Sequence, residues 1–193
     1  MSRLGLLRRA QQLAAARVLR DNRGVSAVEF ALVAPLMLAL YFGAVEITQR
    51  LEVQRKVTLT ARSLSDLVAQ SVSISNADMT NIFTAAKSIM TPLPEGPLTA
   101  RVSAVNVNAS GEATIGWSST YGDIAARATG SSATIPPGLR LPNTQLIWSE
   151  ISYDYTSPAS YFVVGTVEET DQFFARPRQS STVCRPPAVT TCS

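Results

Sequence analysis

The chain contains no histidine and little cysteine, and both scarcities exclude functions. Its 193 residues include two cysteines, Cys184 and Cys192, and no His. Without histidine the chain has no histidine-based catalytic triad, no histidine general base and no ordinary zinc site. The GxSxG, Walker A and GxGxxG motifs are also missing. We therefore expect a protein that is not an enzyme and that needs neither a metal ion nor a cofactor.

Positive charge is scarce outside the first 24 residues. Six of the 17 Lys and Arg residues lie within residues 1–24, against one acidic residue, Asp21. The rest of the chain is slightly acidic, with 11 basic and 13 acidic residues. A nucleic-acid surface needs clustered Lys and Arg, so we expect no nucleic-acid partner. A basic N-terminal arm is instead typical of the cytoplasmic flank of a membrane span.

A long apolar run follows the basic arm. From Val25 to Val45 there are 21 residues, and Glu29 is the only charged one. As a helix this run would be about 31 Å long, close to the thickness of the hydrocarbon core of a bilayer. The run is longer than the apolar core of most secretory signals. We therefore predict a single transmembrane helix, with a kink at Pro35 because proline removes a helical hydrogen bond.

The start of the apolar run resembles a prepilin processing site. Gly24 is followed by Val25 and then by Glu29 and Phe30, which are the fifth and sixth residues after the glycine. Together with the following ALVAPLML stretch, this resembles the TadE-like pilus assembly proteins of the tight-adherence (Tad) system, which are minor pilins of a type IV pilus subclass. The resemblance implies a processing site at Arg23, Gly24 and Val25, cut after the glycine by a prepilin peptidase. It also implies that Glu29 and Phe30 act in subunit register and assembly.

The free-energy cost of placing Glu29 in an apolar helix agrees with a role in subunit assembly. A carboxylate in an apolar helix is unfavourable by about 2.5 to 3.5 kcal/mol at the centre of a bilayer, and less near the interface. Cleavage after Gly24 would give Val25 a free α-amino group, which a neighbouring subunit could offer to Glu29. The alternative is that Glu29 bends toward the lipid headgroups and has no specific partner.

The resemblance also implies partners and a location. The expected partners are the prepilin peptidase, other minor pilins, the major pilin, the inner-membrane assembly platform and membrane lipid. The expected location is the inner membrane, with a single span, a cytoplasmic N-terminus and a periplasmic C-terminal domain, and with entry into the pilus left open. Two alternatives remain: a pseudopilin of a type II secretion machine, and an unprocessed single-pass anchor for a periplasmic binding domain.

The rest of the chain predicts an α+β domain on a long helix. The organisation we expect is a basic leader over 1–24, the span over 25–45, an exported domain over 46–178 and a cysteine-containing tail over 179–193. Apolar residues continue at helical spacing to about residue 71, which predicts one helix of more than forty residues with a stripe of Ile47, Leu51, Val57, Ala61, Leu64 and Val68 facing the domain. A second helix is expected from an N-cap at Ser75 or Asn76 to Pro92.

From Leu98 the apolar period changes to two, which indicates strands. We expect a hairpin of residues 98–107 and 113–118, a long surface loop over 121–143, and strands over 145–156 and 161–166. Glu168, Glu169 and Asp171 are interpreted as a solvated turn.

The two cysteines predict a disulfide that closes a small loop in the exported tail. Cys184 and Cys192 lie within the last ten residues of the chain. Thiols placed so close together in an exported segment are commonly oxidised. The alternative is a pair of reduced thiols in a disordered tail.

Overall fold

The computed structural model describes residues 23–157 and 165–186. In these ranges the chain forms α1 (Arg23–Ala69), α2 (Asn76–Met90), β1 (Leu98–Val107), β2 (Ala113–Tyr121), β3 (Thr144–Thr156) and β4 (Thr166–Ala175). The chain divides into two compact units, Met1–Val45 and Glu46–Ser193. The α+β class is confirmed, with a long N-terminal helix, one further helix and an antiparallel sheet.

The helix α1 has 47 residues, which confirms the prediction of more than forty. In the second unit its buried side repeats every three or four residues, with Val53, Val57, Ala61, Leu64 and Val68 all 1% exposed or less. The prediction that Ile47 and Leu51 share this side is wrong, since they are 63% and 48% exposed. At 100° per residue, Leu51 lies about a third of a turn away from the buried side.

The helix α2 begins at the predicted cap. The Ser75 hydroxyl accepts a hydrogen bond from the Asp78 backbone N–H, and the Asp78 carboxylate accepts one from the Ser75 N–H, which completes a capping box. Its apolar side, with Met79, Phe83 and Met90, is buried in the same core as α1. Both helices therefore cover one face of the sheet.

The sheet has four strands in the order β2-β1-β3-β4, and every neighbouring pair is antiparallel. The predicted strands at 98–107 and 145–156 are confirmed to within one residue, and β2 continues to Tyr121, three residues beyond the predicted end. Ala104 of β1 and Ile147 of β3 pair directly and face the helices. The two central strands, β1 and β3, thus form the side of the main core that lies opposite the helices.

A bulge in β2 divides the apolar residues of this strand between the two faces of the sheet. Ala104 pairs with Trp117 but the next residue, Val105, pairs with Ile115, so Gly116 is the extra residue. As a result Trp117 faces the helices, whereas Ile115 lies in a second core on the opposite face. The period-two pattern of this strand would otherwise place both side chains on one side.

The segment after β2 covers this second core. It was predicted as a surface loop over 121–143, and it is mostly irregular, with one short turn at Pro137–Leu139. However, Ala133 and Ile135 of this segment are buried against the sheet, at 9% and 1% exposure. The Ala133 N–H also donates a hydrogen bond to the carbonyl of Ala113, and the Ile115 N–H donates one to the carbonyl of Ser131. These bonds cover the outer edge of β2. The segment therefore serves as a packed flap and not only as a surface loop.

The strand β4 overturns one prediction and leaves another untested. The expected strand at 161–166 falls mainly on residues outside those described, and the observed strand is Thr166–Ala175. The interpretation of Glu168, Glu169 and Asp171 as a solvated turn is wrong, because all three lie within β4. Edge strands commonly carry charged residues. The sequence of β4 therefore lacks the alternation of apolar and polar residues from which a strand is predicted.

Gly122 offers a stability test at the end of β2. Its φ is +78°, and an added Cβ would lie 2.6 Å from the Leu98 carbonyl oxygen. We expect Gly122→Ala to lower the free energy of unfolding by about 2–4 kcal/mol, through left-handed strain plus a backbone clash. Gly130→Ala is the matched control, because Gly130 has a φ of +81° but open space around it, and should cost about 1 kcal/mol. Equal losses in chemical denaturation would contradict the clash.

Candidate functional site

The predicted processing residues lie at the beginning of the described part of α1. Arg23 is its first described residue, and Gly24 and Val25 follow it in the helix. A Cβ added at Gly24 would meet no atom within 4 Å, and Val25 is 55% exposed. Glycine is a poor helix former. The peptide bond after Gly24 thus lies in an exposed part of the helix, next to a residue of low helix propensity.

Glu29 and Phe30 lie about one turn further along the same helix. Phe30 is 73% exposed, and Glu29 is exposed as well. Within the described part of the chain, no basic side chain forms a salt bridge with Glu29. The carboxylate therefore stands on an apolar helix surface without an internal counter-charge, where a cation from another molecule can meet it.

From residue 31 to residue 45 the helix is apolar on all sides. The exposed large side chains between Val25 and Val45 include Val28, Leu32, Val33, Leu36, Met37, Leu38, Leu40, Tyr41 and Phe42. A helix that is apolar all round needs lipid or other helices as its surroundings. Among the described residues one helix, Gly24–Ala69, is long and apolar enough to cross a membrane by length and composition. This finding is compatible with a single-pass anchor.

Pro35 lies inside the helix, within the apolar run. Proline has no N–H, so the carbonyl of Ala31 loses its usual helical donor. The assigned helix continues through this position. The kink predicted at Pro35 stays a prediction.

In the second unit, polar contacts join α1 to the edge strand β4. Arg50 Nε donates to Glu169 Oε1 at 2.6 Å, and Thr58 Oγ1 donates to Asp171 Oδ2 at 2.5 Å. One turn beyond Thr58, the Arg62 guanidinium lies 5.5 Å from the centre of the Phe173 ring. Glu169 and Asp171 of β4 therefore hold this strand alongside α1.

Sequence reasoning also missed a polar contact at the start of the second unit. Glu46 is 9% exposed, and its carboxylate accepts a hydrogen bond from the Ser157 hydroxyl. Nearby, Tyr155 Oη donates to Gln49 Oε1 at 2.9 Å. Burial and the charge of Glu46 raise the pKa of Tyr155 above its usual value. These contacts fasten the end of β3 to the first turn of α1 in this unit.

A charged cluster lies on the sheet face away from the helices. Glu150 accepts paired hydrogen bonds from Arg101, both at 2.7 Å, and from Arg127, at 2.7 and 3.1 Å. The Arg127 guanidinium lies 4.0 Å from the ring centre of Trp148. Burial alone would raise the pKa of Glu150, but the two guanidinium groups lower it below its usual value.

This cluster predicts a loss of stability at acid pH. Because the pKa of Glu150 is lower in the folded state, its contribution is present above the unfolded pKa of about 4.3 and is lost as pH falls through the folded value. We expect Glu150→Gln to lower the free energy of unfolding by about 1–3 kcal/mol at pH 7. In denaturation curves the difference from wild type should shrink below about pH 4. A difference independent of pH would contradict the prediction, and Glu112→Gln is the exposed control.

The segment after β4 packs into the domain. Val183 and Cys184 are 1% and 4% exposed. Cys184 N donates to the carbonyl of Val72 at 3.0 Å, and its carbonyl accepts from Ile74 N at 2.9 Å. Cys192 lies outside the described residues, so the Cys184–Cys192 disulfide stays a prediction. Among the described residues, no group of three or more His, Cys, Asp or Glu side chains could hold a metal ion.

Comparison with known proteins supports the reading of the first helix. The family model described as TadE-like protein matches residues 24–64. This confirms the resemblance to TadE-like proteins over a segment that begins at Gly24 and ends inside the second unit. No curated protein matches the chain, and no solved structure matches it.

Proposed function

We propose, from its resemblance to TadE-like proteins over residues 24–64, that this chain is a processed minor pilin that supports assembly of a Tad-type pilus used in surface adherence. The observation that carries the proposal is the placement of Gly24, Glu29 and Phe30 at the start of an exposed apolar helix inside the matched segment. The role is structural and not catalytic.

Processing is the first step of the proposed function. The prepilin peptidase hydrolyses the peptide bond between Gly24 and Val25. The products are a basic leader, residues 1–24, and a mature chain that begins at Val25. The new α-amino group of Val25 is a cation at neutral pH. Processing therefore creates the positive charge that a neighbouring Glu29 lacks.

Assembly is the second step. In a neighbouring subunit displaced along the pilus axis, Val25 places its ammonium group against the Glu29 carboxylate. Their attraction is strong in lipid because the dielectric constant there is low and little water competes. Phe30 and the apolar side chains that follow pack against neighbouring helices. One register then satisfies both the charge pair and the apolar contacts.

The proposed location follows from the charge of the N-terminal arm. Its six arginines keep the leader on the cytoplasmic side of the inner membrane. Residues 25–45 then form the span, and the domain that begins at residue 46 lies in the periplasm. There it contacts other minor pilins, the major pilin and the assembly platform.

The intact mass of the membrane-extracted protein tests the proposal. We expect residues 1–24 to be lost only in cells that contain the prepilin peptidase. Gly24→Leu should block this loss. Gly43→Leu is the matched control, because Gly43 lies in the same helix with open space around it and should leave processing unchanged. A full-length mass with and without the peptidase would overturn the proposal and favour an unprocessed membrane anchor.

A further inference from the structure

A polar pocket lies at one end of the sheet, between the end of β1, the bulge of β2, the start of β3 and residues 181–184 of the segment after β4. Its volume is about 350 Å³. Sites for small molecules have volumes of about 300–1,000 Å³. Among the described residues that line the pocket, none is Lys, Arg, Asp or Glu. The lining therefore offers a ligand no charged side chain.

The apolar residues of the lining contribute almost no surface to the pocket. Val107, Trp117 and Val183 are all 3% exposed or less. An apolar ligand is bound through the apolar area that it buries, so such a ligand would gain little here. The groups that a ligand can reach are side-chain amides and hydroxyls. They belong to Asn106, Asn143, Thr144, Ser181 and Thr182.

A chain of hydrogen bonds fixes the direction of the Asn106 amide. The Val183 N–H donates to Gln145 Oε1 at 2.6 Å, and Gln145 Nε2 donates to Asn106 Oδ1 at 2.9 Å. A backbone N–H can only donate, so it determines which end of the Gln145 amide faces it, and Gln145 then determines which end of the Asn106 amide it meets. The NH₂ group of Asn106 is left at the other end, beside Gly116. Within the described part of the chain this group makes no hydrogen bond.

The backbone around the pocket is shaped to hold these groups. Gly116 is the extra residue of the β2 bulge, and a Cβ there would lie 2.8 Å from Asn106 Nδ2. A larger residue would therefore displace the amide. Asn143 has a φ of 58°, which few residues other than glycine adopt. Among the described residues, the side chains of Asn143, Ser181 and Thr182 have no hydrogen-bond partner, so they are available to a ligand.

We propose that this pocket binds a neutral saccharide. The observation that carries the inference is a set of free, uncharged amides and hydroxyls around a pocket without an accessible apolar wall. Amides and hydroxyls both donate and accept hydrogen bonds, so they match the hydroxyl groups of a sugar. A peptide would instead add a strand at a free edge of the sheet. The strands β1 and β3 are central, and the outer edge of β2 is covered by residues 131–133.

The pocket lies at the opposite end of the domain from residue 46. The strand β3 begins at the pocket with Thr144, and near its other end Tyr155 and Ser157 contact α1. At about 3.3 Å per residue this strand is about 40 Å long. In the proposed location residue 46 adjoins the membrane, so the pocket lies where glycans outside the membrane can reach it. The inference goes beyond the proposed function, which needs no ligand.

An array of oligosaccharides tests the inference with the full-length chain in a polyoxyethylene detergent, which has no sugar headgroup. The neutral probes are β-1,4-linked N-acetylglucosamine chains and chains that end in galactose or mannose. Binding to either class supports the inference: the first class indicates a glycan of the cell wall, and the second a glycan of a colonised surface. An array without binding to neutral chains, or with binding to sialylated chains alone, would overturn it.

Asn143→Gly removes one amide from the pocket and keeps the backbone, because glycine adopts a positive φ readily. We expect its affinity for the glycan that the wild type binds to fall about three- to tenfold in isothermal titration calorimetry, through the loss of a hydrogen bond. The melting temperature should not fall. Asn81→Ala is the control, because it removes an exposed amide of α2 outside the pocket. The double variant with Asn106→Ala should bind more weakly still, and wild-type affinity in the double variant would contradict the inference.

Ser181→Trp blocks the pocket without removing a contact. Ser181 is exposed and has no hydrogen-bond partner among the described residues, so we expect the variant to melt like the wild type but to bind no glycan. Thr134→Trp is the matched control, because it adds the same side chain at an exposed position of the flap outside the pocket. Undiminished binding by Ser181→Trp would place the ligand elsewhere and overturn the inference. Loss of residues 1–24 is measured separately, so either proposal can fail without the other.

Discussion

Glu29→Ala is expected to exclude the protein from assembled pili while processing after Gly24 continues. The alanine side chain cannot pair with the ammonium group of a neighbouring Val25, so that group would remain unpaired in an apolar environment. An unpaired charge costs about 2.5–3.5 kcal/mol at the centre of a membrane on insertion scales, and less near the interface, where Val25 and Glu29 lie. A loss of about 1–2 kcal/mol corresponds to a decrease of about 5- to 30-fold in the incorporated fraction.

Matched variants separate this effect from a general change in the helix. Glu29→Gln keeps size and polarity without the charge and should fail like the alanine variant, whereas Glu29→Asp should recover part of the incorporation. Ser26→Ala, one turn earlier in α1, is the control and should assemble normally. The measurement is the amount of each variant in sheared pili relative to the amount in the membrane. Wild-type incorporation of Glu29→Ala would contradict the register role and favour a carboxylate that merely bends toward the headgroups.

Trp117→Ala is expected to have the largest effect on the stability of the domain. Trp117 is 1% exposed in the main core, and its indole N–H donates to the carbonyl of Val183 at 2.9 Å. Removing a buried aromatic side chain costs about 3–5 kcal/mol. For a domain of this size the corresponding fall in melting temperature is about 10–15 °C. The domain should remain folded only at low temperature or in mild conditions.

Trp117→Phe separates packing from hydrogen bonding. Phenylalanine keeps much of the buried volume but leaves the Val183 carbonyl without its donor, so we expect a loss of about 1–3 kcal/mol. In the alanine variant the segment around Val183 and Cys184 should also exchange its backbone amides faster, because Trp117 is one of the groups that hold it. Thermal denaturation and hydrogen exchange of the full chain measure both effects. An alanine variant as stable as wild type would show that this core contact is dispensable.

The elements that local pattern alone specifies were predictable. The apolar run from Val25 to Val45, the cap at Ser75 and the period-two strands β1 and β3 each carry their signal within a few neighbouring residues. The resemblance to TadE-like proteins at Gly24, Glu29 and Phe30 likewise depends on residues that are close together in the sequence. The match of the TadE-like family model to residues 24–64 confirms this resemblance. Local signals of this kind do not depend on how the rest of the chain folds.

Other features depend on partners that are distant in the sequence. Glu169 and Asp171 resemble a polar turn until Arg50 and Thr58 are placed beside them, more than 100 residues earlier in the chain. The bulge at Gly116 changes which residues face the helices, and no periodicity predicts where an extra residue enters a strand. Val183 is an ordinary tail residue in the sequence but a buried one beside Trp117.

The sequence by itself therefore determined the apolar helix, the spacing of Gly24, Glu29 and Phe30 that resembles TadE-like proteins, and the α+β class, because these follow from composition and short-range spacing. Only the tertiary structure decided which side of α1 the domain covers. The helix carries apolar residues on more than one side, and hydrophobic burial selects the side that matches the shape of the sheet. That choice buries Val57 and Leu64 and leaves Leu51 and Leu59 exposed beside Arg55. The exposure of these apolar residues is thus a consequence of the packing.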